Sequence, residues 1–143
     1  MSAEGSLLDP AHVLLDIEAP SREEAVEAAV ALLRGDKRIT SWDDFRASIG
    51  AKQVVDLEGC GGVVLAHGRS AAVKEMTLSA VRWRSPSGPR VVFVFAIPAA
   101  MAEEYLRKVG ALARLCREEG KLPLLASAAT PAQFASVVEE WLG

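Results

Sequence analysis

A three-layer α/β/α sandwich around a mixed central sheet is the fold class this sequence predicts, and three observations carry it. Segments with strand character and segments with helical character follow one another as strand, two helices, several strands, then helices. The run Val91-Val92-Phe93-Val94-Phe95-Ala96-Ile97 is apolar on both faces, as expected of a central strand covered on each side. The helical segments carry one apolar stripe each and are bounded by capping residues. The 143 residues, half of them apolar, suffice for a sizeable core. With no internal repeat or low-complexity linker, one domain over residues 1–143 is expected.

Taken in order, His12–Ile17 is short, mostly apolar and preceded by Asp9-Pro10, which predicts a first strand. Pro20-Ser21-Arg22-Glu23-Glu24 opens a helix, with Ser21 as the cap and Glu24 placed to reach back to it. Ala25, Val26, Ala29, Val30 and Leu33 follow at helical spacing, and Gly35 ends the run. A shorter helix starts near Thr40-Ser41, places Trp42, Phe45 and Ile49 on one face, and stops at Gly50. Gln53–Leu57 and Val63–Ala66 are short β-branched segments separated by the turn Gly59-Cys60-Gly61-Gly62. Met76–Trp83 and Arg90–Ile97 flank Ser85-Pro86-Ser87-Gly88-Pro89, a strong turn signal that makes them an antiparallel pair. A long helix from Ala99 to Glu119 carries Tyr105, Leu106, Val109, Leu112, Ala113 and Cys116, and Gly120 ends it. The last helix opens on Thr130-Pro131-Ala132-Gln133, with Pro at the first helical position and Gln at the capping-box position.

Composition narrows the function classes. The formal charge of −3 is small, and Lys and Arg are spread rather than gathered on one face, so no nucleic-acid partner is expected. The longest apolar run, Val91–Ala102, is interrupted by Pro98 and falls well short of the ~20 residues that span a bilayer, so the chain is not expected to be membrane-embedded. The start Met1-Ser2-Ala3-Glu4-Gly5 lacks the basic-then-apolar order of a signal peptide. Two cysteines, Cys60 and Cys116, make no disulfide framework, and a cytoplasmic home with reduced thiols is the simplest expectation. Two His and two Cys at unrelated spacings give no metal site, and no cofactor is expected. The glycine-rich turn lacks the Gly-Lys-Ser/Thr sequel of a nucleotide-binding loop and reads as a tight turn. A thiol hydrolase built on Cys60 finds no supporting signature, and a buried, inert thiol is the better reading. His12 has no ligand-spaced partner and reads as solvated, and Arg82, Arg84 and Arg90 read as a solvated hairpin edge.

The segment Gly62-Val63-Val64-Leu65-Ala66-His67-Gly68-Arg69-Ser70, followed by Val73-Lys74-Glu75, resembles the type-2 (fructose/mannitol/nitrogen-regulatory) enzyme IIA domain of the bacterial phosphoenolpyruvate-dependent phosphotransferase system. The resemblance runs in order along nearly the whole chain. It takes in Leu7-Leu8-Asp9-Pro10 with Val13-Leu14-Leu15-Asp16, Ser21-x-x-Glu24-Ala25, Ala96-Ile97-Pro98, Tyr105-Leu106, Leu112-Ala113-Arg114-Leu115 and Thr130-Pro131. It implies a phosphocarrier that accepts a phosphoryl group on His67 from the histidine phosphocarrier HPr. The group then passes to a IIB domain or serves as a signal to a regulatory protein. An unperturbed imidazole, with a pKa of ~6.5, is mostly neutral and nucleophilic at pH 7, and the transfer asks the protein mainly for positioning and hydrogen-bond donors.

His67 is expected directly after a strand, before Gly68, where the backbone can approach a phosphate. Arg69, Ser70 and the N–H groups of a helix starting at Ser70–Ala72 are the expected phosphate-binding groups. The chain also departs from the family pattern. Ala66 stands where the family usually has Pro, and Tyr105 stands where an accessory histidine is common. Tyr105 is read either as that residue's replacement or as ordinary core packing. A phosphate-holding Arg of many members falls at Ala51, which leaves Lys52 or Arg46 to stand in. These departures support an alternative function, a degenerate IIA-like interaction module with weak or no phosphorylation.

Overall fold

A computed structural model of the chain describes residues 7–19, 21–57 and 60–142. Pro20 at the helix mouth, Gly59 of the glycine-rich turn and the Met1–Gly5 start therefore lie outside the described residues. The elements are β1 (Val13–Glu18), α1 (Arg22–Leu32), α2 (Trp42–Ala47), β2 (Val54–Asp56), β3 (Val63–Ser70), β4 (Thr77–Ser85), β5 (Gly88–Pro98), α3 (Ala102–Arg117), α4 (Leu122–Ser127) and α5 (Pro131–Leu142). Short 3-10 turns at Pro10–His12 and Ala51–Gln53 lead into β1 and β2.

The sheet is five-stranded in the order β1-β4-β5-β3-β2. The pairs β1/β4 and β3/β5 are parallel, while β4/β5 and β2/β3 are antiparallel, so the sheet is mixed as the element order predicts. β5 is central and buried from Val91 to Pro98. Its alternate residues serve two cores. Val91, Phe93, Phe95 and Ile97 pack with Leu112, Leu125, Phe134 and Val138 of α3–α5. Val92, Val94 and Ala96 pack with Val26, Val30 and Phe45 of α1 and α2. Those two cores make the three layers, since each helix buries its apolar stripe on one sheet face.

The caps form where polar residues precede the stripes. Ser21 Oγ accepts from the Glu24 N–H at 3.2 Å, and Ser41 Oγ accepts from the Asp44 N–H at 3.4 Å. Thr130 Oγ1 accepts from the Gln133 N–H at 3.1 Å, while Gln133 Oε1 reaches the N–H of Ala129 at 2.9 Å. Gly35, at φ +91°, turns the chain out of α1 as expected.

Four expectations need correction. β3 does not end at Ala66 but runs to Ser70, because β5 pairs with it residue by residue from Val63↔Val91 to Ser70↔Pro98. No helix starts at Ser70–Ala72; Ser70 Oγ accepts the Ala72 N–H at 3.0 Å and closes a turn instead. Arg82 is not a solvated edge residue. It lies on a strand between β1 and β5, is 5% exposed, and donates to the Leu125 and Ala126 carbonyls at 2.8 and 3.1 Å. Its other nitrogens meet both carboxylate oxygens of Asp16 at 3.0 Å. Asp16 itself sits at φ +60° in an irregularity of β1 between Leu14 and Ile17. His12, finally, is not solvated: its side chain is 13% exposed, with Nε2 3.6 Å from Asp36. Helix α4 had no counterpart in the sequence reading; Leu-Pro-Leu-Leu-Ala-Ser is too short to show a period, yet it buries Leu125 completely.

Gly68 shows how tightly α2 lies on the sheet. A Cβ on Gly68 would meet the side chains of Ser48, Ile49 and Phe45, the last two at 2.8 and 3.0 Å. Phe45 is wholly buried and has no room to retreat. Gly68→Ala should therefore destabilise the protein by about 1–3 kcal/mol, read as a lower urea midpoint with an unchanged slope.

Candidate functional site

Along β3 side chains point alternately to opposite faces. Val63 and Leu65 belong to the α3–α5 core, and Val64 and Ala66 to the α1–α2 core. His67 therefore lies on the α3 face and Gly68 on the α2 face. The missing side chain of Gly68 makes room for α2.

His67 is partly buried, flanked by exposed Arg69 and by the first turn of α3. The Tyr105 ring lies 5.0 Å from the imidazole, centroid to centroid, at an interplanar angle of 33°. Tyr105 also stands edge-on to Phe95 at 5.3 Å, and Phe95 is the residue of β5 paired with His67. The sequence left Tyr105 open between core packing and a place at His67, and it has both. Burial pushes its hydroxyl up to about 12, so at neutral pH it stays protonated and keeps its proton to donate.

The backbone carbonyl of Gln53 lies near the imidazole and favours its charged form. Gln53 closes the 3-10 turn before β2, whose Val54 pairs with Ala66, so the turn brings this carbonyl alongside His67. The His67 pKa lies below 6.5, first because burial penalises the charged ring and then because Arg69 is a like charge; the Gln53 carbonyl partly offsets both. The result at pH 7 is a neutral imidazole with a nucleophilic nitrogen. Beside an exposed guanidinium, such a nitrogen is suited to attack an anionic electrophile.

The other predicted residues divide. Lys52 is exposed on the Ala51–Gln53 turn, next to the residue whose carbonyl lies near His67. Ser70 lies on the same strand as His67 but spends its Oγ on the Ala72 N–H. Arg46 drops out: it is ion-paired to Glu27 and donates to the Ile49 carbonyl at 3.2 Å, in a cleft with Val26 and Ala51. Ala51 is exposed. Cys60 and Cys116 are buried, and burial with the neighbouring Cys60 pushes the Cys116 thiol up to about 12. That makes it a poor nucleophile. Among the described residues no group of three or more His, Cys, Asp or Glu could hold a metal ion, and no helix is long and apolar enough to cross a membrane. Sequence reasoning missed Gln53 because it acts through its backbone, which carries no residue-type signal.

The titration of both histidines is a check. His12 and His67 have native pKa values below 6.5, so between those values and 6.5 the unfolded chain binds more protons than the native one. Their contribution to stability is complete above pH 6.5 and is lost as pH falls through the window below it. Urea midpoints should drop between pH 7.5 and 5.5, and NMR should place the His67 midpoint under 6.5. Arg69→Gln should raise that midpoint by removing the like charge.

The family model for the phosphoenolpyruvate-dependent sugar phosphotransferase system, EIIA 2, matches residues 6–141. No curated protein matches the chain in sequence. Among solved structures, the nitrogen regulatory protein IIA-Ntr of Neisseria meningitidis is similar at a TM-score of 0.72 and 24% identity, over 92% of this chain and 96% of that one. The IIA mannitol structure of Escherichia coli gives a TM-score of 0.64 at 14% identity, covering 90% and 96%. The mannitol-specific cryptic phosphotransferase enzyme IIA CmtB of Escherichia coli gives 0.63 at 18%, covering 98% and 99%. At these identities the structures share the fold with this chain.

Proposed function

The chain belongs to the EIIA type 2 family of the phosphoenolpyruvate-dependent sugar phosphotransferase system, and from that premise we propose that it is a histidine phosphocarrier with His67 as the phosphoryl acceptor. The observation that carries this reading is the half-buried imidazole on β3, with the Tyr105 ring 5.0 Å away and Arg69 and burial holding its pKa below the ordinary value. The donor is HPr, and the acceptor is a IIB domain or, where the group serves as a signal, a regulatory protein. The setting is the cytoplasm.

The lone pair of a His67 ring nitrogen attacks phosphorus as the donor's phosphorus–nitrogen bond breaks, and the departing imidazole keeps that bond's electron pair. Charge in transit sits on three phosphoryl oxygens. Arg69 and Lys52 supply cations toward them, and Tyr105 packs the imidazole while offering a hydroxyl proton. Passing the group onward is the same displacement with the roles reversed.

A second reading has its own observations. Ala51 is exposed where many family members carry Arg, and Lys52 beside it is a point charge without the planar fork. Tyr105 fills the accessory position with a hydroxyl held protonated. Both favour an IIA-like regulatory module with weak or no phosphorylation.

Incubation with phosphoenolpyruvate, enzyme I and HPr, followed by intact mass, separates the two. A carrier gains one acid-labile, base-stable phosphoryl group, and His67→Ala abolishes it without loss of fold. Tyr105→His and Ala51→Arg should each speed transfer. Labelling of these two variants but not of the wild type replaces the carrier with the regulatory module. Labelling at a residue other than His67 overturns the site.

A further inference from the structure

A second cleft, of about 440 Å³, lies at the same end of the sheet as His67. That end is set by the pairings Thr77↔Ala96 and Ser70↔Pro98, which bring the start of β4 beside the ends of β5 and β3. Its base is built from His12, Asp36 and Arg38, whose side chains are 13%, 8% and 11% exposed. Arg38 grips Asp36 with a fork, Nε to Oδ1 at 3.0 Å and Nη2 to Oδ2 at 2.8 Å, and His12 Nε2 stands 3.6 Å from the same carboxylate. The rim carries exposed Lys37, Lys74 and Glu75 together with Asp9. Nearly buried charges at the floor of a cleft are costly to assemble and mark a candidate site.

The signs are what identify the ligand. Asp9, Asp36 and Glu75 stand against Lys37, Arg38 and Lys74, and burial lowers the pKa of His12, keeping it neutral at pH 7. The lining is balanced in charge but not in arrangement, because adjacent Lys74 and Glu75 set opposite signs side by side on the rim. We propose that this cleft binds a small zwitterion, a free amino acid, with its carboxylate toward Lys37 and Lys74 and its ammonium toward Glu75 and Asp9. A phosphate would meet three carboxylates and a metal cation three fixed cations, whereas a ligand bearing both charges finds a partner for each. The volume falls within the range of small-ligand sites.

Such a ligand would touch a ladder that leads toward His67. The Lys74 N–H donates to the Arg38 carbonyl at 2.7 Å, the Thr40 N–H to the Ala72 carbonyl at 2.7 Å, and Ile39 bridges Val73. The ladder ties the approach to α2 to the turn that leaves β3, so occupancy of the cleft fastens the two segments adjoining the Arg69–Ser70 end of that strand.

The test is calorimetric titration of the full-length chain with each of the common free amino acids at pH 7 and low salt. Acetate, methylammonium and inorganic phosphate serve as single-sign probes. Saturable binding of at least one amino acid is expected, with each single-sign probe at least about tenfold weaker, since charge-assisted bonds at both ends are needed. Lys74→Ala and Glu75→Ala should each weaken that binding about tenfold without moving Tm, because both side chains are exposed. His67→Ala should bind as the wild type does, which separates this site from the phosphocarrier reading. The proposal fails if no amino acid binds, if phosphate alone binds as tightly as any amino acid, or if both rim variants retain wild-type affinity.

Discussion

The two-residue repeat of β3 is the constraint from which the placement of the site follows. A strand wedged between β5 and β2 has no freedom to rotate, so each residue is assigned to one core or the other. Gly68 meets α2 with no side chain at all, and that close approach locks the register of the pleat. His67, one residue earlier, is thereby turned toward α3 and Tyr105. The same repeat carries Arg69 to the imidazole's own face. A slip of one residue would drive the imidazole into Phe45 and Ile49 and present a glycine to the ligand.

Energetically the site is cheap because it borrows from the scaffold. The imidazole lies near a backbone carbonyl from a turn that β2 needs in any case, and packs against a tyrosine that also fills the gap over Phe95. Among the described residues no carboxylate pairs with the ring. His12 is the contrast. It too is kept below its ordinary pKa by burial, but Asp36 and Asp9 pull the other way. The two histidines thus have the same direction of shift with different neighbours: a guanidinium beside His67, a carboxylate beside His12.

The sequence disclosed most where a residue's type and its position agreed. Val91–Ile97 announces a central strand because both of its faces must be covered, and the apolar stripes of α1, α3 and α5 announce themselves by period. β3 was read four residues short because His67-Gly68-Arg69-Ser70 has no strand propensity; pairing with β5 overrides it. Arg82 misled for a related reason, since an arginine near a turn looks solvated unless one knows that its strand is interior. In the candidate site, His67, Arg69, Lys52 and Tyr105 are singled out by resemblance to a family motif, and the pleat explains why His67 and Arg69 share a face near Tyr105. The Gln53 carbonyl, the α2 contact of Gly68 and the burial of His12 are properties of the assembled chain, and no pattern of residue types reports them.

The irregularity at Asp16 also bears on how the molecule avoids its own copies. An open sheet has two bare edges, each a template for a strand from another chain. Here β1 is broken between Leu14 and Ile17, where Asp16 takes a left-handed backbone to reach Arg82. At the other edge β2 is only three residues long, and Asp56 at its end is claimed by Arg22 and Arg90. Neither edge offers the long, flat ladder that fibrous self-association needs. The buried arginine that caps α4 thus has a second effect at the surface, as a guard against edge-to-edge aggregation.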